Sequence, residues 1–193
     1  GLGRRVAITG YGVVAPCGLG KDEFWAGLLG PGLSGVDKAT VIEPWDSSPY
    51  YQSPKEARRA DLSEQFAIAA ATEAMEQAGD LGLDPARIGT IFATGVGGIH
   101  TLEEQVGVRI AKGERRVSPF LVPMIMPNAS GAAISMRYGP KGPNETLCTA
   151  CAAGTHAIGY AARLIRWGII DAAATGGSES AGTVTSLAGF TNM

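Results

Sequence analysis

The sequence has few of the residues that mark several classes of protein. Charged residues make up only 18% of its 193 positions, and the formal net charge is -2. Such a balance gives no general attraction to nucleic acid or to an anionic membrane, although short basic clusters occur at 55–59 and 112–116. No apolar run reaches the roughly 20 residues that a membrane-spanning helix requires. These shortages argue against a nucleic-acid-binding protein and against an integral membrane protein.

Cysteine and histidine are also scarce, with three and two residues. An odd number of cysteines, with no recognisable secretory signal, predicts a reducing, cytoplasmic location and no disulfide framework. Cys148 and Cys151 have the spacing of half a zinc site. No second pair completes it, because neither His100 nor His156 has a ligand-like spacing, so we predict no metal. A thioredoxin-like redox pair is disfavoured because its first cysteine normally opens the helix.

Glycine and small apolar residues are abundant, and they favour an α/β fold with a sheet covered on both faces. The chain has 28 glycines and apolar runs such as "AIAAATEAM" and "IIDAAATGG". The apolar patterns predict strands over 4–9, 88–95, 145–149 and 169–175 and helices over 22–29, 63–79, 101–111, 129–139 and 152–167. Their alternation predicts a mostly parallel sheet, and the proline-rich stretch 31–54 is predicted to be irregular.

Capping residues indicate where two of the predicted helices begin or end. Ser63 is a candidate N-cap of the helix over 63–79, and Gly79 is its C-terminal stop. In the helix over 101–111, Thr101 and Glu104 have the spacing of a capping box. The apolar residues of that helix lie on one stripe, which consists of Leu102, Val106 and Ile110.

Two glycine-rich segments resemble nucleotide-binding loops only weakly. "GYGVVA" at 10–15 fits the dinucleotide pattern, but Pro16 stands where the phosphate-binding helix would run, so a tight turn is the better interpretation. "GVGG" at 95–98 lacks the Lys and Ser/Thr that follow a P-loop. We interpret its glycines as positions where the backbone approaches a neighbour or a ligand closely.

Cys151 has the surroundings of a nucleophile. It lies on the predicted turn between a strand and a helix, next to free backbone N–H groups and the positive end of the helix dipole. This environment favours the thiolate and offers an oxyanion donor, and the small neighbours leave the sulfur approachable. A buried structural cysteine is the alternative, and it is our interpretation of Cys17 and Cys148. His156 lies about 140° around the helix from Cys151, so we assign it a packing or hydrogen-bonding role.

Taken together, the segments resemble one protein family along nearly the whole chain. The matching stretches, in the family's order, are "RRVAITGYGVVAPCG", "FWAGLL", "KEARRAD", "QFAIAAATEAM", "TGVGGIHTLEEQ", "GERRVSPFLVP", "PNASGAAIS", "GPKGPNETLCTACAAGTHAIG" and "AATGGSES". The sequence is thereby similar to the N-terminal half of β-ketoacyl-acyl carrier protein synthases of the FabF (KAS II) type. These belong to the thiolase-like superfamily, whose layered α/β/α/β/α fold is therefore expected.

The resemblance implies an enzyme and a role for Cys151. In this family, the corresponding cysteine takes an acyl group from a carrier protein, and its backbone N–H forms half of the oxyanion hole. Decarboxylation of malonyl-carrier protein then yields a carbanion that attacks the thioester and extends the chain by two carbons. The assisting histidines and lysine lie in the family's second half. Residues 1–193 are therefore expected to form an N-terminal lobe, with the C-terminal lobe missing or in a separate chain.

The resemblance also implies partners and further site residues. Acyl- and malonyl-loaded acyl carrier protein, a second copy in a homodimer, and no cofactor are expected. Val96 matches the position that limits the acyl pocket, with an ordinary core valine as the alternative. Basic residues that match the carrier-binding face, or else a solvated surface, are Lys55, Arg58, Arg59, Arg115 and Arg116. A type II polyketide ketosynthase subunit and a non-catalytic interaction subunit are the alternative functions.

Overall fold

The central element is a parallel sheet of three strands. A computed structural model describes residues 3–34 and 41–193; part of the predicted irregular stretch 31–54 lies outside the described residues. The described strands, in chain order, are β1 (Val14–Ala15), β2 (Gly18–Leu19), β3 (Ile88–Ala93), β4 (Asn144–Leu147) and β5 (Ala172–Gly177). β3 lies between β4 and β5 and runs parallel to both, whereas β1 and β2 form a separate antiparallel pair. The prediction of a parallel sheet is confirmed.

Helices and short 3-10 turns connect the strands. The described helices are α1 (Lys21–Leu29), α2 (Pro54–Ala57), α3 (Leu62–Ala78), α4 (Ile99–Lys112), α5 (Leu121–Ile125), α6 (Ala129–Tyr138), α7 (Ala153–Arg166) and α8 (Val184–Thr191). The described 3-10 turns are Ser48–Tyr50, Pro85–Arg87, Glu114–Arg116 and Ala150–Ala152. All five predicted helices are present, with ends shifted by one or two residues.

Two apolar cores cover the two faces of the sheet. Successive residues of a strand point to opposite faces, and Ile91 and Phe92 of β3 accordingly enter different cores. On one face, α7 packs against β3 and β5 through small and branched side chains, the fully buried ones including Ile91, Ala157 and Ile170. On the other face, Phe92 packs with residues of α3 and α6. The described part of the chain is therefore a three-layer α/β/α unit.

The prediction of a strand over 4–9 was wrong. This segment has no regular secondary structure, and the side chain of Ile8 is 80% exposed. A strand requires a partner for its backbone N–H and C=O groups, and no strand of the described chain pairs with these residues. The start of the segment is held by a side-chain contact instead, in which the Arg4 guanidinium donates to the Asp171 carboxylate.

The glycines of the 10–15 segment serve packing against α3. A Cβ atom at Gly12 would overlap the carbonyl oxygen of Ala70, so the chain comes this close to the helix only because Gly12 has no side chain. The Tyr11 and Val13 N–H groups donate to the side chains of Gln77 and Glu73 on the same helix. The segment therefore docks on a helix side rather than leading into a phosphate-binding helix.

The predicted N-caps of α3 and α4 were wrong, because a buried carboxylate serves both helices. Asp61, not Ser63, caps α3, and one of its carboxylate oxygens accepts from the Ser63 N–H at 2.9 Å and the Ser63 hydroxyl at 2.7 Å. The other oxygen accepts from the Thr101 N–H at 2.9 Å and its hydroxyl at 2.6 Å. Thr101 is therefore engaged with Asp61 instead of a capping box, and α4 starts at Ile99 with Gly98 as N-cap. Gly79 ends α3 as predicted.

The apolar stripe of α4 faces outward. Leu102, Val106 and Ile110 are 42%, 41% and 74% exposed, so the core of the described residues does not cover this stripe. The helix instead turns Thr101 inward, where its hydrogen bonds to Asp61 are fully enclosed. The hydrogen bonds between Thr101 and Asp61 thus determine which face of α4 points inward, and apolar periodicity does not indicate such bonds.

Glu64 on α3 makes stability depend on pH. Burial, followed by the nearby Asp61 carboxylate, raises its pKa to about 7, while Arg137 opposes the shift. A carboxyl group whose pKa is higher in the folded state binds more protons there, so the free energy of unfolding falls as pH rises from about 4.5 through 7. Glu64→Gln, which resembles the protonated form, is expected to raise the Tm by a few degrees near pH 8 and not near pH 4. Thermal unfolding of the wild type and the variant at the two pH values checks this. The control is Glu76→Gln, at an exposed position of the same helix. Equal Tm values for the wild type and Glu64→Gln near pH 8 would contradict the prediction.

Candidate active site

Cys151 lies at the edge of the sheet where the parallel strands end. It is exposed, on the 3-10 turn Ala150–Ala152 that joins β4 to α7. Small residues permit this sharp turn, in which Ala150 adopts a φ of 52°, a conformation that non-glycine residues rarely take. Cys151 is thus not buried within the described residues, and its place between strand and helix is the one predicted.

The first turn of α7 supplies polar surroundings for the Cys151 sulfur. The helix has 14 residues, and Ala152 at its N-cap makes no side-chain capping bond. The first N–H groups of a helix have no intrahelical acceptor and carry partial positive charge. Cys151 lies directly before backbone N–H groups of this kind.

The other cysteine of the pair differs from the prediction. Cys148 is exposed rather than buried, because β4 is an edge strand of the described sheet and its end is uncovered on one side. Cys17 is partly buried, and all three cysteines are free thiols. Two exposed thiols three residues apart make Cys148 a natural control for experiments on Cys151.

His156 on α7 makes a hydrogen bond to a residue before the helix. Its Nδ1 lies 3.2 Å from the Thr149 hydroxyl, and the ring is exposed. This agrees with the predicted hydrogen-bonding role and does not direct the ring to the Cys151 thiol. Within the described residues, no group of three or more His, Cys, Asp and Glu side chains has the arrangement of a metal site.

Val96 lies on a loop that runs next to the cysteine turn. The loop 94–98 follows the carboxyl end of β3, and Val96 is 52% exposed in the described chain. A Cβ atom on Gly95 would lie 3.9 Å from the carbonyl oxygen of Ala150, so the two segments are neighbours. The structure therefore places Val96 and Cys151 at the same edge of the sheet.

Glu179, which sequence reasoning did not select, holds this loop. One of its carboxylate oxygens accepts from the Gly95 N–H at 2.7 Å and the Val96 N–H at 3.1 Å. A Cβ atom on Gly95 would approach the same oxygen to 2.5 Å, so Gly95 leaves room for the carboxylate, as expected of a glycine at a close approach. A cavity of about 210 Å³ borders Glu179 on the side of α3.

The five basic residues are all exposed, and one contact links their two segments. The Arg59 guanidinium carbon lies 4.4 Å from the centroid of the Phe120 ring, which connects the segment after α2 to the segment after the 3-10 turn Glu114–Arg116. The exposed residues are Lys55, Arg58, Arg59, Arg115 and Arg116. They remain available to an acidic partner.

A larger groove lies away from Cys151. It has a volume of about 750 Å³ and runs between α3 and α6, lined by Tyr51, Glu64 and Arg137 among others. Burial raises the pKa of Tyr51, whose hydroxyl has no hydrogen-bond partner among the described residues. Cys151 is not among the residues that line this groove.

The chain belongs to the beta-ketoacyl synthase family. The model of the beta-ketoacyl synthase N-terminal domain matches residues 38–193. The chain is 40% identical to the 3-oxoacyl-[acyl-carrier-protein] synthase 2 of Staphylococcus aureus (strain COL) and 38% identical to that of Vibrio cholerae, in each case over 97% of the chain. It spans about half, 48%, of the length of each relative.

Solved structures confirm the thiolase-like α/β fold. A type II polyketide ketosynthase in complex with its acyl-carrier protein has a TM-score of 0.82 at 24% identity, covering 95% of this chain and 54% of the other. The ishigamide ketosynthase/chain length factor has a TM-score of 0.75 at 22% identity, covering 96% and 55%. No helix in the described ranges 3–34 and 41–193 has the length and apolar character needed to cross a membrane.

Proposed function

We propose that this chain is the nucleophile-bearing part of a 3-oxoacyl-acyl carrier protein synthase that elongates acyl chains. The observation that carries the proposal is the exposed Cys151 on the turn between β4 and the N-terminus of α7. The identity of 40% to 3-oxoacyl-[acyl-carrier-protein] synthase 2 supports the reaction class.

Acyl transfer is the first half of the proposed reaction. The Cys151 thiolate attacks the carbonyl carbon of an acyl-carrier thioester, the carrier thiol leaves, and the acyl group remains on the Cys151 sulfur. The oxyanion of the tetrahedral intermediate accepts hydrogen bonds from backbone N–H groups at the start of α7. The exposed position of the sulfur lets a carrier-bound acyl group reach it.

Condensation is the second half. Malonyl-carrier protein loses CO2, the electron pair of the broken bond forms a carbanion, and this carbon attacks the thioester carbonyl on Cys151. The Cys151 thiolate leaves, and the product is a 3-oxoacyl-carrier protein two carbons longer. His156 is hydrogen-bonded to Thr149, and we do not assign it to decarboxylation. We assign the decarboxylating groups to the remainder of the synthase.

The proposal includes the assembly in which this reaction takes place. Since the relatives are about twice as long, we propose that residues 1–193 form an N-terminal lobe that a second lobe completes. We further propose a homodimer in the cytoplasm, where the free thiols of Cys17, Cys148 and Cys151 remain reduced.

Sequence relatives favour elongation over the two alternatives. The polyketide ketosynthases among the solved structures are less than 25% identical to the chain, so they support only the fold. A non-catalytic subunit has no need of a nucleophile, and the retention of an exposed Cys151 argues against it.

The reaction itself tests the proposal. The complete synthase, supplied with acyl- and malonyl-loaded carrier protein, is expected to release CO2 and form a 3-oxoacyl-carrier protein two carbons longer. Mass spectrometry of the carrier-bound products and measurement of the released CO2 together check acyl transfer and condensation. Release of CO2 without a longer product, or no turnover, would overturn the proposal.

Charge reversal on the basic face tests the choice of partner. Arg58→Glu combined with Arg115→Glu is expected to raise KM for acyl-carrier protein about tenfold, because the carrier is acidic and meets these residues first. The kcat/KM for a short acyl-pantetheine substrate, which lacks the carrier protein, is expected to stay unchanged. The control is Lys141→Glu, an exposed residue before the start of β4 and thus at the opposite edge of the sheet from Cys151. Equal KM increases for both variants would contradict a specific carrier face.

A further inference from the structure

Glu179 occupies a position from which it controls the loop next to the nucleophile. It lies two residues beyond the end of β5 and 83 residues from Val96, yet one of its carboxylate oxygens accepts from two successive backbone N–H groups of the loop 94–98. The other oxygen lies 3.5 Å from the Thr94 hydroxyl, whose oxygen also accepts from the Gly97 N–H at 3.2 Å. One carboxylate therefore organises the loop from its start to its turn.

The backbone next to Glu179 is itself fixed on both faces of the sheet. The Ser178 N–H donates to the Ala93 carbonyl at 3.0 Å, and the Ser178 hydroxyl donates to the Ser63 carbonyl of α3 at 2.5 Å. Gly177 packs closely against the backbone of Gly154 in the first turn of α7. The backbone before Glu179 is therefore anchored, and the Glu179 carboxylate holds the loop 94–98 to this anchored segment.

We propose that Glu179 is a positioning residue that sets acyl chain-length selectivity through Val96. The inference rests on the proposed function, in which Val96 limits the space for the acyl chain on Cys151. A half-exposed valine on a loop excludes volume reliably only if the loop is held, and the Gly95 and Val96 N–H groups have Glu179 as their acceptor. Without this carboxylate they turn to water, and the loop relaxes.

The test compares selectivity among variants of the complete synthase. The measured quantity is the ratio of kcat/KM for a long-chain to that for a short-chain acyl-carrier protein. Glu179→Ala is expected to raise this ratio about tenfold, because a relaxed loop admits longer chains. Glu179→Gln keeps an oxygen that accepts from the loop and is expected to stay near the wild-type ratio.

A double-mutant cycle separates the proposed route from general damage. Val96→Ala removes the limiting side chain and raises the same ratio, so adding Glu179→Ala to it is expected to change the ratio little further. The matched control is Glu73→Ala, since Glu73 on α3 also accepts from two backbone N–H groups, those of Val13 and of Lys21 at the start of α1. This control is expected to leave the ratio unchanged.

The outcomes distinguish the inference from the function on which it rests. An active wild type in which Glu179→Ala leaves the ratio unchanged, or in which the effects of Glu179→Ala and Val96→Ala are additive, overturns the role of Glu179 alone. A rise in the ratio with Glu73→Ala as large as with Glu179→Ala also overturns it. A wild type without condensation overturns the proposed function and this inference together.

Discussion

Cys151→Ser is expected to lower condensation by the complete synthase at least about a thousandfold. A serine hydroxyl at the start of α7 is a weaker nucleophile than a thiol, because an alcohol does not ionise near neutral pH as a thiol does. Steady-state formation of the 3-oxoacyl product measures the loss. The same variant is expected to lose its reaction with iodoacetamide at this position.

Cys148→Ser is the matched control for this loss. Cys148 is exposed like Cys151 and lies three residues before it, but it lies at the end of β4 rather than in the turn that opens α7. We expect this variant to retain activity within a few-fold of the wild type. A loss in Cys148→Ser as large as in Cys151→Ser would mean that the segment, and not the Cys151 thiolate, is what catalysis requires.

Asp61→Ala is expected to cause the largest loss of stability. The carboxylate is 1% exposed, caps α3 and accepts four hydrogen bonds from Ser63 and Thr101. Its removal leaves buried donors on two helices without an acceptor, which costs about 3–5 kcal/mol. A drop of several degrees in Tm is expected, together with faster hydrogen exchange in the first turns of α3 and α4.

The control for Asp61 is a carboxylate with the same local role at the surface. Asp84 caps the 3-10 turn Pro85–Arg87 and accepts one hydrogen bond, from the Ala86 N–H at 2.9 Å, but it is exposed. Asp84→Ala is expected to cost about 1 kcal/mol or less. Similar Tm values for the two variants would show that the link from Asp61 to Thr101 contributes nothing beyond an ordinary cap.

The local features of the fold were predictable from the sequence because they depend on near neighbours. The strand, turn and helix around Cys151 follow from an apolar run, small residues and a helical pattern within about twenty positions. The end of α3 at Gly79 depends only on a residue that readily adopts a positive φ. The small residues next to Cys151 likewise predict an approachable sulfur without reference to distant parts of the chain.

Features that depend on distant partners were not predictable. Ser63 and Asp61 are both good capping residues, and only the hydrogen bonds to Thr101, 40 residues away, explain why Asp61 is buried at the cap. Glu179 has no local pattern at all, since its partners are 83 and 84 residues earlier. The segment 4–9 has the composition of a strand, but pairing requires a neighbouring strand, which the described chain does not provide.

The most direct test of the central claim is to locate the acyl group on the protein. The complete synthase is incubated with acyl-carrier protein without malonyl substrate, digested with trypsin and examined by mass spectrometry. Cys148 and Cys151 fall in one tryptic peptide, residues 142–163, so fragmentation must assign the site. We predict one acyl group per chain, on the Cys151 sulfur. An acyl group on Cys148, or none on this peptide, would contradict the role of Cys151 as nucleophile.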